Sequence, residues 1–210
     1  MLPLSIGFFL IMILHETNPH KFIYLISLSI ILSIGPALYG QYIFSWESSG
    51  MDGILCRKIN LTNYIRAKYY LLLFLTIIVF VPCSIIFYFK STVDVAFFTS
   101  LFLFSIGIIS FIILYLATFN TKRMNPNEND ILKYKGTSAN QVVLSVLFVL
   151  LPCGLYAIIH YLFNDFVAKI GLSAVGIIFF VTHIWWIENI IVPAFMYRKY
   201  KNLQGFRFKS

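Results

Sequence analysis

Residues 69–89 read YYLLLFLTIIVFVPCSIIFYF and contain no Asp, Glu, Lys or Arg. An α-helix rises about 1.5 Å per residue, so roughly 20 apolar residues cross a hydrocarbon core of about 30 Å. The run therefore predicts a transmembrane helix. Four further runs lack the same charged residues, at 22–46, 95–121, 136–164 and 170–187.

The composition is typical of a protein that lies within a bilayer. The chain has 210 residues, of which 60% are hydrophobic and only 11% charged, and its mean hydropathy is +0.85. A soluble domain of this size needs more charge to cover its surface. We expect an all-α, polytopic membrane protein with a single transmembrane domain over 1–210.

Six spans are predicted, because a shorter apolar run at the start of the chain joins the five long ones. Their approximate bounds are 2–14, 22–45, 67–89, 95–119, 140–162 and 170–196. Thirteen of the 16 Lys and Arg residues lie in or beside the segments that follow spans two, four and six. Cytoplasmic segments collect Lys and Arg, so we expect both termini in the cytoplasm. The net charge of +8 then reflects topology and not nucleic-acid binding.

The segment 46–62, between spans two and three, predicts a short amphipathic helix on the membrane surface. Its apolar side chains can lie in the interface while its charged side chains face water. Side-chain oxygens at Asn60 and Thr62 can cap the helix that follows. Arg66 and Lys68 are expected to anchor that helix by extending their charged ends to the lipid headgroups.

This arrangement resembles the coupling-helix region of ABC-2 type transporter permeases, which also have six spans and both termini inside. The matching residues are Glu47, Gly53, Leu55, the break at 60–62, and Lys68. The chain also resembles the C-terminal half of an uncharacterised bacterial family of ABC-2-like membrane proteins. The stretches typical of that family are FSWESS at 44–49, RAKYY at 66–70, YKGTSA at 134–139 and GFR at 205–207.

The resemblance implies a permease subunit of an exporter in the bacterial cytoplasmic membrane, without enzymatic activity or a cofactor. A separate ABC ATPase subunit would dock on the coupling segment, and a second permease chain would complete the pathway in the lipid bilayer. The implied docking residues are Trp46, Glu47, Asp52, Gly53, Leu55, Arg57 and Lys58.

Motifs for nucleotide or metal binding are not visible in the sequence. No G-x-x-x-x-G-K-[ST] stretch is present to hold ATP phosphates, so an ATPase would be a separate polypeptide. His15 and His20 are five residues apart with Pro19 between them, which excludes the H-E-x-x-H zinc motif. We therefore expect no metal site.

His183 and Glu188 lie in the last predicted span and form a candidate intramembrane polar site, since ionisable residues are costly in a bilayer. Five residues apart, they should project from different faces of an ideal helix. A packing role and a role in transport both remain open. Gly107, Gly171 and Gly176 are expected to permit close helix approach.

Two other classes of function stay under consideration. The first is an integral membrane enzyme that acts on lipid and uses His160, Asp165, His183 or Glu188. The second is a non-transporting membrane scaffold or half-permease. The four ionisable residues are expected at different membrane depths, whereas an enzyme would gather its acidic and histidine residues at one depth, and this favours transport.

Overall fold

The computed structural model of the protein describes residues 21–40, 43–44, 60–90, 94–119 and 139–198. Within these ranges the chain is helical apart from short turns and helix caps, and no strand occurs there. The predicted first span at 2–14 and the predicted docking residues at 46–58 lie outside the described residues. The all-α class is therefore confirmed for the described part of the chain.

The helices follow one another with two π-helical interruptions, π1 and π2. In chain order they are α1 (Lys21–Gly40), α2 (Leu61–Lys90), α3 (Val95–Phe104), π1 (Ser105–Ile109), α4 (Ser110–Ala117), α5 (Ala139–Leu162), α6 (Asp165–Val181), α7 (His183–Trp186), π2 (Ile187–Ile191) and α8 (192–198).

Two of the described helices are long and apolar enough to cross a membrane, Leu61–Phe89 and Val95–Ala117. A third crossing is formed if Asp165–Val181 and His183–Arg198, which meet at an angle of 60°, count as one bent span. The protein is thus a helical protein with two or three candidate membrane-spanning helices among its described residues.

Polar side chains mark the starts of three helices. The Asn60 side chain accepts a hydrogen bond from the Thr62 amide at 3.0 Å, as predicted for the start of α2. Asp94 accepts from the amides of Ala96 and Phe97 at the start of α3. Asn164 accepts from the amide of Val167 at the start of α6. Each cap provides an acceptor for amides that have no partner inside the helix.

The continuous helix formed by α3, π1 and α4 lies at the centre of the bundle. Of the residues in its most apolar stretch, 72% are buried, whereas only 17% of the residues in the most apolar stretch of α2 are buried. At π1 this helix crosses α6 so closely that Gly107 and Gly176 meet backbone to backbone. The prediction that these two glycines permit close helix approach is therefore confirmed. The exposed face of α2 carries large apolar side chains, such as Phe74, Ile78 and Ile85, as expected for contact with lipid.

The last helix differs in its bounds and course from the span predicted at 170–196. It begins earlier, at Asp165, and bends by 60° between Val181 and His183. Beyond the bend, the backbone widens into π2, which begins six residues before Pro193 and includes Asn189, whose carbonyl lies four residues before it. Proline lacks an amide proton and its ring collides with the carbonyl four residues earlier, so the wider i→i+5 turn relieves that clash.

Candidate functional site

The fold places polar side chains of the described residues in two clusters, one near the start of α6 and one at the bend and in π2. The Arg66 cluster consists of Arg66, Tyr69, Tyr70, His183 and Glu188. The Lys169 cluster consists of Asp94, Tyr156, His160, Asp165 and Lys169.

An ion pair joins the first turns of α2 to π2. Arg66 Nη2 donates a hydrogen bond to Glu188 Oε1 at 2.6 Å, with 27% and 48% of the two side chains exposed. Pairing reduces the cost of placing either charge near lipid, because each ion offsets the desolvation of the other. Arg66 Nε is buried and has no hydrogen-bond partner among the described residues.

His183 is held between its own helix and α2. Its Nδ1 lies 2.7 Å from the carbonyl oxygen of Phe180, and its Nε2 lies 3.3 Å from the Tyr70 hydroxyl. A carbonyl oxygen can only accept, so Nδ1 carries a proton and donates to Phe180. One face of the ring stacks on Tyr69 at a centroid distance of 5.0 Å.

His183 and Glu188 therefore contact one short stretch of α2, namely 66–70, although an ideal helix would place them on different faces. The difference arises because α7 has only four residues and continues into π2. The i→i+5 bonds of a π-helix widen the turn, so residues five apart come closer to one face.

Arg66 and Lys68, the predicted interfacial anchors, both contact other side chains of the protein. Arg66 points at Glu188, and Lys68 is only 8% exposed, with its Nζ 5.4 Å from the centre of the Tyr64 ring. A cation over an aromatic face is stabilised by the ring quadrupole. Both cations thus serve contacts within the protein. The predicted docking residues Trp46, Glu47, Asp52, Gly53, Leu55, Arg57 and Lys58 lie outside the described residues.

The Lys169 cluster ties together the ends of α3, α5 and α6. Lys169 Nζ binds carboxylate oxygens of both Asp94 and Asp165, the latter at 2.5 Å. The hydroxyl of Tyr156 donates to the other oxygen of Asp165, and the ring of His160 stacks on that of Tyr156 at 5.8 Å. Of the alternative enzyme residues, Asp165 is thus engaged in an interhelical contact with Tyr156, whereas His160 packs on Tyr156 within its own helix.

Charge and hydrogen bonding shift the titration of Asp94. Partial burial opposes ionisation of this carboxyl. The hydrogen bonds from Lys169 and from the Phe97 and Ala96 amides, and the positive charge of Lys169, favour ionisation more strongly. They hold the pKa of Asp94 below its ordinary value, so this carboxylate is ionised at neutral pH.

Five residues of these clusters escape prediction from the sequence: Tyr69, Tyr70, Asp94, Tyr156 and Lys169. Tyr69 and Tyr70 have the appearance of interfacial aromatics at a span end, and only the packing of the last helix on α2 gives them partners. Lys169 follows Asp165 by four residues, a spacing that favours an ion pair on a helix. Its second contact, with Asp94, depends on the fold.

The described residues contain no group of three or more His, Cys, Asp or Glu side chains placed to hold a metal ion. In both clusters a cation binds the carboxylate oxygens, and in the Lys169 cluster the Tyr156 hydroxyl also donates to Asp165. The chemistry that this geometry supports is reversible ion pairing and hydrogen bonding between helices.

Comparison with known proteins gives one match. No curated protein and no solved structure matches the chain. The model of a family of unknown function, DUF5687, matches residues 2–209, which is almost the whole chain. The protein therefore belongs to the DUF5687 family.

Proposed function

We propose that the protein is the membrane-spanning permease subunit of an ABC-2-like exporter. In this proposal the chain crosses the bacterial cytoplasmic membrane six times with both termini in the cytoplasm. A separate ABC ATPase docks on residues 46–58, and a second permease chain completes the pathway. The proposal is supported by the uneven distribution of Lys and Arg and by the resemblance of 44–70 to a coupling-helix region.

The contact between Arg66 and Glu188 is the observation that carries the mechanism. Helix α2 begins at Leu61, directly after the proposed docking segment, and Arg66 lies in its second turn. A push on residues 46–58 would therefore reach α2 first. The ion pair, at 2.6 Å, would then pass the displacement to π2 and so to the bent last helix. Packed helices transmit such movements because they shift as rigid bodies.

The alternative of an enzyme acting on lipid is less well supported. Its four residues separate into His160 with Asp165 in one cluster and His183 with Glu188 in the other. From Asp165 to His183 the helix rises about 27 Å. Catalytic acids and bases need to lie within hydrogen-bond reach of one substrate, which these two pairs do not.

Co-purification tests the proposal. The tagged full-length chain is isolated in mild detergent from its native membrane, and the sample is assayed for ATP hydrolysis and for a second polypeptide with a Walker A motif. We expect both, and we expect the double variant Glu47→Ala, Arg57→Ala to lose them. The matched control, Glu16→Ala with Lys21→Ala, removes one acid and one base from the segment predicted outside and should retain the ATPase.

Two outcomes contradict the proposal. Retention of the ATPase by the Glu47, Arg57 variant would show that the docking segment is wrongly assigned. Isolation of the intact chain without any ATPase would favour the scaffold or half-permease interpretation.

A further inference from the structure

The bend in the last helix has no proline or glycine at its position, and the Thr182 hydroxyl there donates to the carbonyl oxygen of Ile178 at 2.7 Å, a contact that often accompanies helix bending. The residues at the bend are Val181, Thr182 and His183, whereas the nearest glycine is Gly176 and the nearest proline is Pro193. Sharp kinks in helices are almost always produced by proline, by glycine and serine pairs, by π-bulges or by a side chain inserted into the backbone ladder. Here π2 begins only after the bend, so side chains are the remaining cause to consider.

Side chains do bond the backbone at the bend. Trp186 Nε1 donates to the carbonyl oxygen of Phe179 at 2.9 Å, and His183 Nδ1 donates to that of Phe180 at 2.7 Å. Both carbonyls belong to the last turn of α6, and that of Phe180 also accepts a hydrogen bond from a backbone amide at the helix end. Two side chains from beyond the bend thus stabilise the end of α6 in the bent form.

Tyr69 of α2 contacts both of these side chains. Its ring stacks on His183 and meets Trp186 edge to face, with the centroids 5.0 Å and 5.5 Å apart. Its hydroxyl donates to the carbonyl oxygen of Ile106 in π1 at 3.1 Å. Tyr69 is fully buried, so its ring has a single defined position.

From these contacts we infer that 181–183 form a hinge in the last helix and that Tyr69 is the positioning residue that holds it bent. While the Tyr69 ring stays in place, His183 and Trp186 remain bonded to the carbonyls of Phe180 and Phe179. When the ring is removed, the two side chains lose their support and the last helix straightens. The hinge is a property of this chain alone and does not depend on the proposed ATPase.

A distance measurement across the bend tests the hinge. Spin labels replace Phe166 and Tyr197, both strongly exposed, in the full chain with its three native cysteines changed to serine, reconstituted in lipid nanodiscs. A straight helix would separate these positions by about 46 Å, and a 60° bend at Thr182 shortens this to about 40 Å. We expect the shorter distance, and a lengthening of about 6 Å in Tyr69→Ala.

Matched variants separate the hinge from general loosening. Phe98 is another fully buried aromatic, whose ring contacts are with Phe80 and Phe87 and not with the bend, so Phe98→Ala should keep the shorter distance. Trp186→Phe removes only one donor with little change in volume and should broaden the distribution towards longer distances, even if Tyr69→Ala does not fold.

The inference is overturned by either of two results. One is an unchanged distance in both Tyr69→Ala and Trp186→Phe. The other is an equal lengthening in Phe98→Ala. Neither result bears on whether an ATPase docks at 46–58, because the measurement uses the isolated chain.

Discussion

Gly107 and Gly176 bring two helices into direct backbone contact. A Cβ atom on Gly107 would lie 2.2 Å from the carbonyl oxygen of Gly176, and one on Gly176 would lie 2.4 Å from the carbonyl oxygen of Leu103. Small residues allow such approach, and in lipid the resulting van der Waals contacts drive helix association. The crossing of π1 and α6 therefore depends on the absence of two side chains.

Gly176→Ala is accordingly expected to destabilise the protein. The added methyl group would collide with backbone atoms, which cannot rotate away, so we expect a loss of about 1–3 kcal/mol. Thermal unfolding in detergent measures this as a lower midpoint. Gly154→Ala is the matched control, since no heavy atom lies within 4 Å of its Cβ position. It should leave the midpoint unchanged or raise it, and an equal loss in both variants would refute the packing argument.

The ion pair between Arg66 and Glu188 predicts a measurable coupling. In a double-mutant cycle with Arg66→Gln and Glu188→Gln, the interaction energy should be favourable and about 0.2–1 kcal/mol, because both side chains are partly exposed. A cycle between Arg66 and Asp94, which lie beyond opposite ends of the α2 apolar run, should give about zero. If the two cycles gave equal interaction energies, the energy measured for Arg66 and Glu188 would come from long-range electrostatics and not from their direct contact.

Asp94 predicts a pH dependence of stability on the acidic side. Its pKa is lower in the folded protein than in the unfolded chain, so its stabilising contribution is present above the unfolded value of about 3.9 and is lost as the pH falls through the folded pKa. Asp94→Asn keeps a helix cap but removes the charge. The midpoints of wild type and variant should therefore differ at pH 7 and converge below about pH 4.

A non-titrating neighbour provides the control for this pH series. Among the residues that the structure describes, the Thr99 hydroxyl bonds to the carbonyl of Val95 in its own helix and to no other group. Thr99→Ala should differ from wild type by the same amount at both pH values. If the midpoints of Thr99→Ala and wild type also converged at low pH, the pH effect would come from other carboxylates and not from Asp94.

The proposed topology predicts which positions react with a water-soluble thiol reagent. In a chain freed of its native cysteines, Phe163→Cys should be labelled in intact cells and Asn63→Cys only after permeabilisation. Phe74→Cys should be protected in both cases, since this exposed side chain lies in the middle of the α2 apolar run. Labelling of Asn63→Cys from outside would place residues 46–58 on the wrong side for a cytoplasmic ATPase.

Features set by local sequence were predictable, and those set by neighbouring helices were not. The charge-free run 69–89 identified α2, and Asn60 was identified as its cap, because apolar length and capping act within a few residues. The glycine contact was also expected from residue size. By contrast, the bend at Thr182 carries no proline or glycine, and it depends on Tyr69, which lies more than a hundred residues earlier in the chain.

The same distinction holds for the candidate site. His183 and Glu188 were identified because ionisable groups are rare in apolar segments. Their partners were missed, since Arg66 has the position of a headgroup anchor and Tyr70 that of an interfacial aromatic. Only the wider turn of π2 and the packing against α2 bring the four side chains together.

The 60° bend also makes the protein sensitive to the thickness of its surroundings. A bent helix pair reaches less far along the membrane normal than a straight one, and a mismatch between apolar length and bilayer thickness costs a fraction of a kcal/mol per Å. Short-chain lipids should therefore favour the bent form and long-chain lipids the straight one. In the proposed topology, acyl-chain length is thus expected to adjust the shape of this protein without any bound ligand.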